Sequence, residues 1–463
     1  MNPKNTEKHS MKKQAPHGSF ALFTDLYELT MLQAYFEENL KDTAVFSLFV
    51  RRLPARRNFL LACGLDTVLG LLENLQFSQE EIAYLASIGK FSERFLDWLR
   101  DFRFTGDIYA MPEGTPIFAN EPILEVVAPL PQAQVVETLI MNQIQLQTML
   151  ASKAERVVSA ARDRLVVDFG SRRMHGIDAA LKGARAFYIG GVSATSNVLA
   201  GKRYGVPVAG TMAHSYIQSH ENEATAFRAF AQLYPDTVLL VDTYDTLAGV
   251  QKVIDLAKTL GEDFNIKAVR LDSGDISTLS KETRRLLDRA DLGKVGIFVS
   301  GGLDEDKIAE FVSRGAPIDG FGVGTEMGVS SDAPSLDIVY KLSEYAGQGR
   351  LKLSSGKSIL PGRKQVFRVA EGNEDVRDII GRADEQIQGQ PLLAPVMKGG
   401  KRLPGKTVGI EAMRDHAKER IARLPARIRR ITAAKTPYPL EVSVALSTFQ
   451  KEISERLFDN RSV

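Results

Sequence analysis

Residues 205–215 read Gly205-Val-Pro-Val-Ala-Gly210-Thr-Met-Ala-His214-Ser215, a short apolar run that ends in polar residues. The apolar half predicts a buried strand, and the alanine-rich residues 221–230 have the apolar spacing of a helix. His214 therefore lies where a strand passes into a helix, a junction at which loops often carry functional residues. A single histidine is by itself more simply explained as a hydrogen-bonded loop residue. The neighbouring hydroxyls of Thr211 and Ser215, and the polar ends of other strands, favour a functional role.

The same unit, a short apolar strand followed by a helix, recurs through residues 156–342. Predicted strands begin near residues 165, 186, 206, 237, 266, 295 and 318, with an eighth near 336. Strands that alternate with helices predict βαβ units and a parallel sheet. Seven or eight such units predict an α/β fold built on an irregular TIM-like (β/α) barrel, which forms the catalytic domain.

Each predicted strand ends in polar residues or glycine, and in a barrel these ends meet at the face that carries active sites. Glycine also lets backbone N–H groups approach phosphate oxygens, so the last two strand ends predict a phosphate site. The strand ends are Asp168-Phe-Gly-Ser-Arg-Arg173, Gly190-Gly191, His214, Asp242-Thr-Tyr-Asp245, Arg270-Leu-Asp-Ser-Gly-Asp275, Ser300-Gly-Gly302 and Gly322-Val-Gly-Thr325.

The residues that flank the barrel do not alternate in this way. Residues 20–155 predict an N-terminal α/β domain, with a helix from Thr24-Asp25, a strand over 43–50, helices over 64–104, a proline-limited β unit over 105–130 and a long helix from 132. Residues 343–463 predict a C-terminal region that packs back on this domain, and residues 347–376, with β-type runs such as Gln365-Val-Phe-Arg-Val369, are expected to complete its β unit. Residues 1–19 predict a disordered tail.

Composition excludes several classes of protein. At 463 residues with 44% hydrophobic residues the chain is long enough for two or three packed domains. A net charge of only +2 gives no general attraction to nucleic acid or to a membrane surface, and no apolar run reaches the length of a membrane span. The single cysteine, Cys63, excludes an internal disulfide and favours the reducing cytoplasm.

Two basic stretches allow more than one interpretation. Four arginines, Arg51, Arg52, Arg56 and Arg57, lie within seven residues, and they form either a solvated turn or a clamp for an anion. Residues 398–430 are also basic, for which a solvated face is the simpler explanation.

A third stretch, Gly400-Lys-Arg-Leu-Pro-Gly405-Lys406-Thr407, has the spacing of a P-loop. The preceding Pro391-Leu-Leu-Ala-Pro395 is a poor buried strand, whereas the P-loop requires a strand, a loop and a helix together. We therefore do not predict a nucleotide site there.

The motifs, taken as a set, resemble those of the nicotinate phosphoribosyltransferase family from about residue 20 to the C-terminus. They are Thr24-Asp-Leu-Tyr27, Asp168-Phe-Gly-Ser-Arg-Arg173, Gly210-Thr-Met-Ala-His-Ser215, Val241-Asp-Thr-Tyr-Asp245, Arg270-Leu-Asp-Ser-Gly-Asp275 and Gly322-Val-Gly-Thr325. The resemblance implies an ATP-coupled ligase that makes nicotinate mononucleotide and pyrophosphate from nicotinate and phosphoribosyl pyrophosphate in NAD biosynthesis. It also implies Mg²⁺, a phosphorylated histidine, and a homodimer with active sites shared between subunits.

The resemblance assigns roles to individual residues, each of which the side chain could perform. It implies phosphorylation of His214, stacking of the pyridine ring between Phe169 and Tyr27 of the other subunit, and a bond from Arg172 to the nicotinate carboxylate. Asp242 and Asp272 would hold ribose hydroxyls or Mg²⁺, and Arg270, with some of the four arginines at 51–57, would balance the pyrophosphate. The 5′-phosphate would lie on Gly301, Gly302, Gly322, Gly324 and Thr325.

Each role has a plainer alternative. Phe169 and Tyr27 are alternatively core aromatics, Asp242 and Asp272 caps, and Arg172 a member of a salt bridge. Two other functions also fit the pattern: a related enzyme that uses nicotinamide or quinolinate, and a non-enzymatic barrel that binds a phosphate metabolite.

The charge of the barrel loops predicts which pyridine is preferred. No Asp or Glu lies between Asp178 and Glu221, whereas Lys182, Arg185, Lys202 and Arg203 do. If these loops face the ring, they favour anionic nicotinate over the neutral amide.

Overall fold

A computed structural model describes residues 20–353, 359–405 and 408–459. The predicted disordered tail, residues 1–19, lies outside this part of the chain, as do Lys406 and Thr407 of the P-loop-like stretch.

The first third of the chain combines helices with strands of an antiparallel sheet. Its elements are α1 (Leu26–Glu37), β1 (Thr43–Val50), β2 (Leu60–Leu61), α2 (Leu65–Glu73), α3 (Gln79–Ser87), α4 (Glu93–Arg100), β3 (Asp107–Ala110), β4 (Pro116–Ile117), β5 (Leu124–Pro129), α5 (Leu130–Val135) and α6 (Glu137–Ala161). Local sequence sets several of these boundaries, since the side chains of Ser78 and Ser92 cap α3 and α4. All but the first residue of β1 is buried. Trp98 packs against Phe95, with ring centroids 5.7 Å apart, as its apolar surroundings predict.

The middle third contains a parallel sheet whose strands are separated by helices. Its elements are β6 (Leu165–Asp168), α7 (Ile177–Ile189), β7 (Ala194–Thr195), α8 (Val198–Tyr204), α9 (His214–Gln218), α10 (Glu223–Leu233), β8 (Val238–Leu240), α11 (Thr246–Leu260), β9 (Ala268–Leu271), α12 (Ile276–Arg289), β10 (Gly296–Ser300), α13 (Glu305–Ser313), β11 (Gly320–Val323) and α14 (Thr325–Gly328). The six strands lie in the order β7-β6-β11-β10-β9-β8. The predicted parallel α/β sheet is therefore present as a half-barrel, and not as a complete eight-stranded barrel.

Three of the predicted barrel strands are wrong in detail. The run near 186 is the buried end of α7, and the strand follows it as β7. The run near 206 contributes one parallel bridge, between Thr195 and Val208, and no described backbone pairing continues from Val208 to β8. The eighth predicted strand, near residue 336, belongs to the antiparallel sheet that contains β1 and not to the parallel sheet. Periodicity misplaces these strands because short apolar runs fit a buried helix as well as a buried strand.

The last third of the chain returns to the N-terminal part and also builds a sheet of its own. Its elements are β12 (Ile338–Tyr345), β13 (Gln348–Gly349), β14 (Lys364–Glu371), β15 (Glu374–Arg382), β16 (Gln390–Pro391), β17 (Ala394–Lys398), β18 (Lys401–Arg402), α15 (Ile410–Ala422), β19 (Leu440–Val442) and α16 (Val444–Asp459). One sheet has the order β13-β12-β1-β5-β3-β17-β18, so strands from both ends of the chain share it. The predicted domain boundary at residue 342 falls inside β12.

The stretch expected to complete the N-terminal β unit, residues 347–376, does so through β13, but its run 365–369 does not. That run lies in β14, within the separate sheet β16-β14-β15-β19. The strands that do join the N-terminal sheet are β12, β13, β17 and β18. An apolar strand pattern defines a strand but not its partner, which explains the error.

The P-loop-like stretch lies in an antiparallel setting. Gly400 is at the turn between β17 and β18, which pair antiparallel, and Arg402 forms an ion pair with Glu73 at 3.0 Å. A P-loop needs a parallel strand that leads into a helix, so the described residues 400–405 do not form one.

Candidate active site

The carboxyl ends of the parallel strands carry a hydrogen-bonded group of side chains centred on Arg270, at the end of β9. Its Nε donates to Ser300 Oγ at 2.7 Å, and its Nη2 donates to Asp272 Oδ1 at 2.7 Å. Its Nη1 donates to Thr211 Oγ1 at 2.9 Å and to the backbone oxygen of Met212 at 3.1 Å. Arg270 therefore joins the ends of β9 and β10 to the loop before α9, and most of its N–H groups are already engaged.

Asp272 is ionised by this environment. Burial alone would raise the pKa of its carboxyl, but hydrogen bonds from Ser300 and Arg270 outweigh burial and hold the pKa below its usual value. Asp272 therefore carries a negative charge at neutral pH, at the centre of the site.

Asp242, at the end of β8, is held against the neighbouring strand. Its Oδ2 accepts hydrogen bonds from the backbone N–H of Asp272 and from Ser273 Oγ, both at 2.8 Å. Its Oδ1 is buried and has no hydrogen-bond partner among the described residues. The helix caps here are Asp245, Asp275 and Asp304, which cap α11, α12 and α13. Asp242 therefore acts as a cap on the end of the neighbouring strand, which agrees with its plainer alternative, and it does not cap a helix.

His214 begins α9, and its ring lies between the ends of β8 and β9. Its Nδ1 is 3.2 Å from Thr243 Oγ1, and its Nε2 is 3.9 Å from Asp272 Oδ2. The side chain is 41% exposed, so a ligand can reach it. Sequence reasoning missed Thr243, although it directly follows Asp242 in the strand-end motif.

Phe169 follows β6, and its ring faces the neighbouring strands. The Arg270 guanidinium lies 5.5 Å from its ring centroid, and the ring of Phe298 lies 6.0 Å away. A Cβ on Gly322 would come within 2.5 Å of the Phe169 ring. Gly322 is buried, and its lack of a side chain makes room for this ring, while its phosphate role stays a prediction.

The residue before Phe169 supports this loop from within. Asp168 is fully buried and accepts hydrogen bonds from Thr195 Oγ1 and from the backbone N–H of Gly170, both at 2.7 Å. Burial raises the pKa of its carboxyl in spite of these bonds. Arg172 is different, since it is exposed and has no hydrogen-bond or ion-pair partner among the described residues. The alternative that Arg172 belongs to a salt bridge is therefore not supported.

The predicted phosphate residues after β10 and β11 differ in exposure. Gly301 and Gly302 are exposed and have φ angles of +91° and +56°, and a Cβ on Gly301 would lie 2.0 Å from the backbone oxygen of Asp272. These positions therefore require glycine. Thr325 is exposed at the start of α14, next to Gly324. A cation that sequence reasoning missed, Lys307, donates from Nζ to the backbone oxygen of Gly302 at 2.5 Å.

Comparison with known proteins agrees with this geometry. A family model described as the nicotinate phosphoribosyltransferase N-terminal domain matches residues 22–145. A second model, described as the nicotinate phosphoribosyltransferase family, matches residues 165–374, which include the whole parallel sheet. The chain belongs to the nicotinate phosphoribosyltransferase family.

Individual members of the family cover nearly the whole chain. Nicotinate phosphoribosyltransferase pncB2 of Mycobacterium tuberculosis is 53% identical over 91% of this chain and 91% of its own length. The enzyme of Bacillus subtilis is 42% identical over 81% of this chain and 79% of its own length. Among solved structures, human nicotinic acid phosphoribosyltransferase superposes with a TM-score of 0.83 at 27% identity, covering 93% of this chain and 99% of that chain.

The arginines at 51–57 are mostly engaged within this member of the family. Arg56 forms two hydrogen bonds with Asp306 at 2.6 and 2.7 Å, and the buried Arg57 pairs with Asp332 at 3.1 Å. Arg52 pairs with Asp337 at 3.0 Å. Only Arg51 has no acidic partner among the described residues. Arg56 and Arg57 therefore join the N-terminal part to the half-barrel, which neither the solvated turn nor the anion clamp anticipated.

The basic residues between Asp178 and Glu221, which were expected to face the ring from barrel loops, lie in the helices α7 and α8. Arg185 is buried and forms two bonds with Glu113, at 2.7 and 3.0 Å, and Lys182 pairs with Asp178 at 2.7 Å. Neither supplies a free charge to a ligand, whereas Lys202 and Arg203 of α8 are exposed. The predicted preference for an anionic ring therefore depends on Arg172, Lys202 and Arg203.

Tyr27 lies in α1 and is not among the site residues gathered by the half-barrel. Its ring is 49% exposed, and its hydroxyl is 3.4 Å from Glu28 Oε1. It is therefore not a core aromatic. Within one subunit the residues that gather around Asp272 are Arg270, Ser300, Asp242, Thr211 and His214.

Asp242 and Asp272 are the candidate magnesium ligands of the site. No group of three or more His, Cys, Asp or Glu side chains in the described ranges forms a complete metal site. Mg²⁺ is commonly held by one or two carboxylates together with substrate phosphates. Asp272 fits this pattern through Oδ2, since the side chain is 29% exposed and Oδ1 holds Arg270 and Ser300, whereas Asp242 Oδ1 is buried. The described helices also include none that is long and apolar enough to cross a membrane.

Proposed function

We propose that this chain joins nicotinate to 5-phosphoribosyl 1-pyrophosphate, giving nicotinate mononucleotide and pyrophosphate for NAD biosynthesis. The observation that carries the proposal is the order of residues along the edge of the parallel sheet. Phe169 and the unpaired Arg172 follow β6, Gly324 and Thr325 follow β11, Gly301 and Gly302 follow β10, and Asp272 and Asp242 follow β9 and β8. This arrangement offers groups for a ring, a carboxylate, a phosphate and ribose hydroxyls on one face.

In this reaction the pyridine nitrogen forms a bond to the anomeric carbon while the bond to the pyrophosphate oxygen breaks. Positive charge develops on the sugar, and negative charge leaves with the pyrophosphate. Asp272, which is ionised and central, lies where it can stabilise the sugar. Phe169 and Arg172 orient the nicotinate ring for in-line attack, which lowers the entropic part of the barrier.

Asp272, through its accessible Oδ2, and the neighbouring Asp242 are the carboxylates that would bind Mg²⁺ with the pyrophosphate. A bound Mg²⁺ would neutralise charge on the leaving group. Asp242 would orient this ion, and the hydrogen bonds to its Oδ2 fix its position. Arg270 holds Asp272 and the Thr211 loop in place, and it contributes positive charge to the same region.

ATP is coupled through His214 in this proposal. A neutral ring nitrogen of His214 attacks the γ-phosphoryl group of ATP, ADP leaves, and water later releases phosphate from the histidine. The phosphohistidine adds roughly two negative charges next to the pyrophosphate region. These charges order the nearby cations and so increase the affinity for phosphoribosyl pyrophosphate. The exposed ring of His214 at the edge of the site supports this role.

The proposal can be tested by mixing purified protein with nicotinate, phosphoribosyl pyrophosphate, Mg²⁺ and ATP. The measurement is the formation of nicotinate mononucleotide. His214→Ala should keep a weak, ATP-independent transfer and should lose ATP stimulation and ATP hydrolysis. γ-Labelled ATP should label the wild type in an acid-labile, base-stable form and leave the variant unlabelled.

The matched control is His220→Ala, since His220 lies six positions further on and its Nδ1 is bonded to the Tyr216 carbonyl at 2.8 Å. This control should still be labelled. Labelling that persists in His214→Ala and disappears in His220→Ala would move the phosphoryl acceptor to His220. Equal turnover of nicotinate and nicotinamide would contradict the proposed substrate.

A further inference from the structure

The buried ammonium group of Lys153 lies behind two loops that contain glycine, Gly301–Gly302 and Gly324–Thr325. Lys153, in the middle of α6, is only 1% exposed. Its Nζ donates to Glu305 Oε2 at 2.6 Å and to Asp332 Oδ1 at 2.8 Å. The two carboxylates belong to different segments of the half-barrel, so Lys153 bridges them.

The first carboxylate is attached to the loop after β10. Glu305 is the first residue of α13 and follows Gly302 by three positions. Leu303, between them, is buried, and Asp304 caps the helix through the backbone N–H of Lys307 at 2.8 Å. Arg156 Nε also donates to Glu305 Oε1 at 3.0 Å. The position of the Glu305 carboxylate therefore determines where Gly301 and Gly302 lie.

The second carboxylate is attached to the loop after β11. Gly324 and Thr325 lead into α14, and the turn behind this short helix is hydrogen-bonded back to it through Val329 N–H and Thr325 O at 3.0 Å. Ser330 and Asp332 complete the turn, and the buried Arg57 Nη2 donates to Ser330 Oγ at 3.0 Å and to Asp332. Lys153 and Arg57 thus hold the end of this segment.

Both carboxylates are ionised. Burial alone would raise the pKa of Asp332, but the charges of Arg57 and Lys153 lower it to about 2. The pKa of Glu305 is lowered by Lys153 and Arg156 against the effect of burial. A buried lysine with two carboxylates stabilises a fold less than its short distances imply, because desolvation offsets most of the attraction. An apolar side chain of similar size would fill the same space without the cost of desolvation. Stability alone therefore does not explain the ion pairs of Lys153.

We propose that Lys153 is a positioning residue that sets the spacing between the Gly301–Gly302 loop and the Gly324–Thr325 loop, and thereby the affinity for the phosphate monoester of a sugar phosphate. Lys153 does not touch the ligand and acts through Glu305 and Asp332. The inference rests on the proposed function only in assigning these two loops to the sugar phosphate.

The experiment measures binding of separate ligand fragments by calorimetry. Lys153→Met keeps most of the length of the side chain and removes its charge. We expect the Kd for ribose 5-phosphate to rise at least about tenfold, as for loss of the geometry behind a charged hydrogen bond. The Kd for nicotinate should change less than about twofold, since Phe169 and Arg172 lie in the loop after β6 and are not bonded to Lys153, Glu305 or Asp332. Lys153→Arg should recover part of the ribose 5-phosphate affinity.

The matched control is Lys364→Met. Lys364 is also buried and pairs with the buried Glu125 at 3.2 Å, but in β14, away from the half-barrel. It should lower the Tm as Lys153→Met does while leaving ribose 5-phosphate binding unchanged. If Lys153→Met does not fold, Asp332→Asn gives the same test, because that side chain is partly exposed and a folded variant is expected.

Unchanged ribose 5-phosphate affinity in folded Lys153→Met overturns the inference. So does an equal loss for ribose 5-phosphate and nicotinate, since that pattern indicates general destabilisation. A wild type that does not bind ribose 5-phosphate also overturns it. A wild type that binds ribose 5-phosphate but makes no nicotinate mononucleotide would contradict the proposed function and leave the positioning role to be decided by the variants.

Discussion

Arg172 is a charged residue for which the described part of the chain offers no hydrogen-bond or ion-pair partner. It lies in the short 3-10 turn Ser171–Arg173, which begins three residues after the buried end of β6, and it is exposed. Most other arginines of the site region are committed, Arg270 to four hydrogen bonds and Arg57 to Asp332. An exposed guanidinium in the same loop as Phe169 is suited to a flat anion.

We therefore expect Arg172→Ala to raise the KM for nicotinate by more than about tenfold, because loss of one charged hydrogen bond costs about 1.5–3 kcal/mol. The KM for phosphoribosyl pyrophosphate should change little. Steady-state kinetics measures both. Arg173→Ala is the control, since Arg173 is also exposed and is the adjacent residue. A larger effect for Arg173→Ala would move the carboxylate contact to that residue.

At the scale of elements, α2 and α7 are joined by one buried carboxylate. Glu113 accepts hydrogen bonds from the backbone N–H groups of Gly64 and Asp66 at the start of α2, at 2.8 and 2.7 Å. Arg185 of α7 donates two further bonds to it. Burial alone would raise the pKa of Glu113, but Arg185 and the α2 N–H groups lower it to about 2. The pair links the N-terminal part to the half-barrel.

The sign of the pH dependence follows from this lowered pKa. Glu113 contributes stability that is fully present above its unfolded pKa, near 4.5, and is lost as the pH falls towards 2. Glu113→Gln should therefore be destabilised by about 3 kcal/mol at pH 7, and its deficit relative to the wild type should shrink towards pH 3. Urea unfolding at both pH values measures this difference.

Glu155→Gln provides a control of opposite sign. Glu155 is buried, and burial raises the pKa of its carboxyl despite a hydrogen bond from Ser159. Its ionisation therefore costs stability as the pH rises, and the glutamine variant should equal or exceed the wild type at pH 7. If Glu113→Gln were unaffected at pH 7, the buried pair would not be a main link between α2 and α7.

At the scale of the whole molecule, one subunit exposes two apolar surfaces. Around the start of α1 the exposed residues are Phe20, Phe23, Leu26 and Tyr27. At the starts of α7 and α8, next to the carboxyl ends of β6 and β7, the exposed residues are Ile177, Val198 and Leu199. Exposed apolar patches near a functional face often mark an interface. They favour the homodimer that the family resemblance implies, in which Tyr27 would cover the ring site of the other subunit.

In that dimer, co-expressed Tyr27→Ala and His214→Ala chains should regain part of the ATP-stimulated activity that each lacks alone, because mixed dimers contain one site without either change. Tandem affinity tags isolate the mixed dimers before assay. The control pair is His214→Ala with Asp272→Ala, whose residues come from the same subunit and leave no intact site. If isolated mixed dimers of the first pair showed no recovery, each site would be built within one subunit.

The sequence by itself determined the features that depend on neighbouring residues. The parallel α/β sheet, the polar strand ends with His214, Asp242 and Asp272, and the strand β1 follow from apolar spacing and turn chemistry over a few residues. The family and its motifs were also readable from the sequence, because the strand-end residues are local. Their shared position at one edge follows from the parallel alternation of strands and helices.

Only the tertiary structure decided which residues meet across long separations. Arg57 and Asp332 are 275 positions apart, and Lys153 and Glu305 are 152 apart, so no periodicity links them. The same limit explains why β12 and β17 join the N-terminal sheet while β14 does not, and why Gly322 serves the Phe169 ring. A strand pattern defines which face is apolar, but the choice of partner depends on packing, charge pairing and chain closure over the whole molecule.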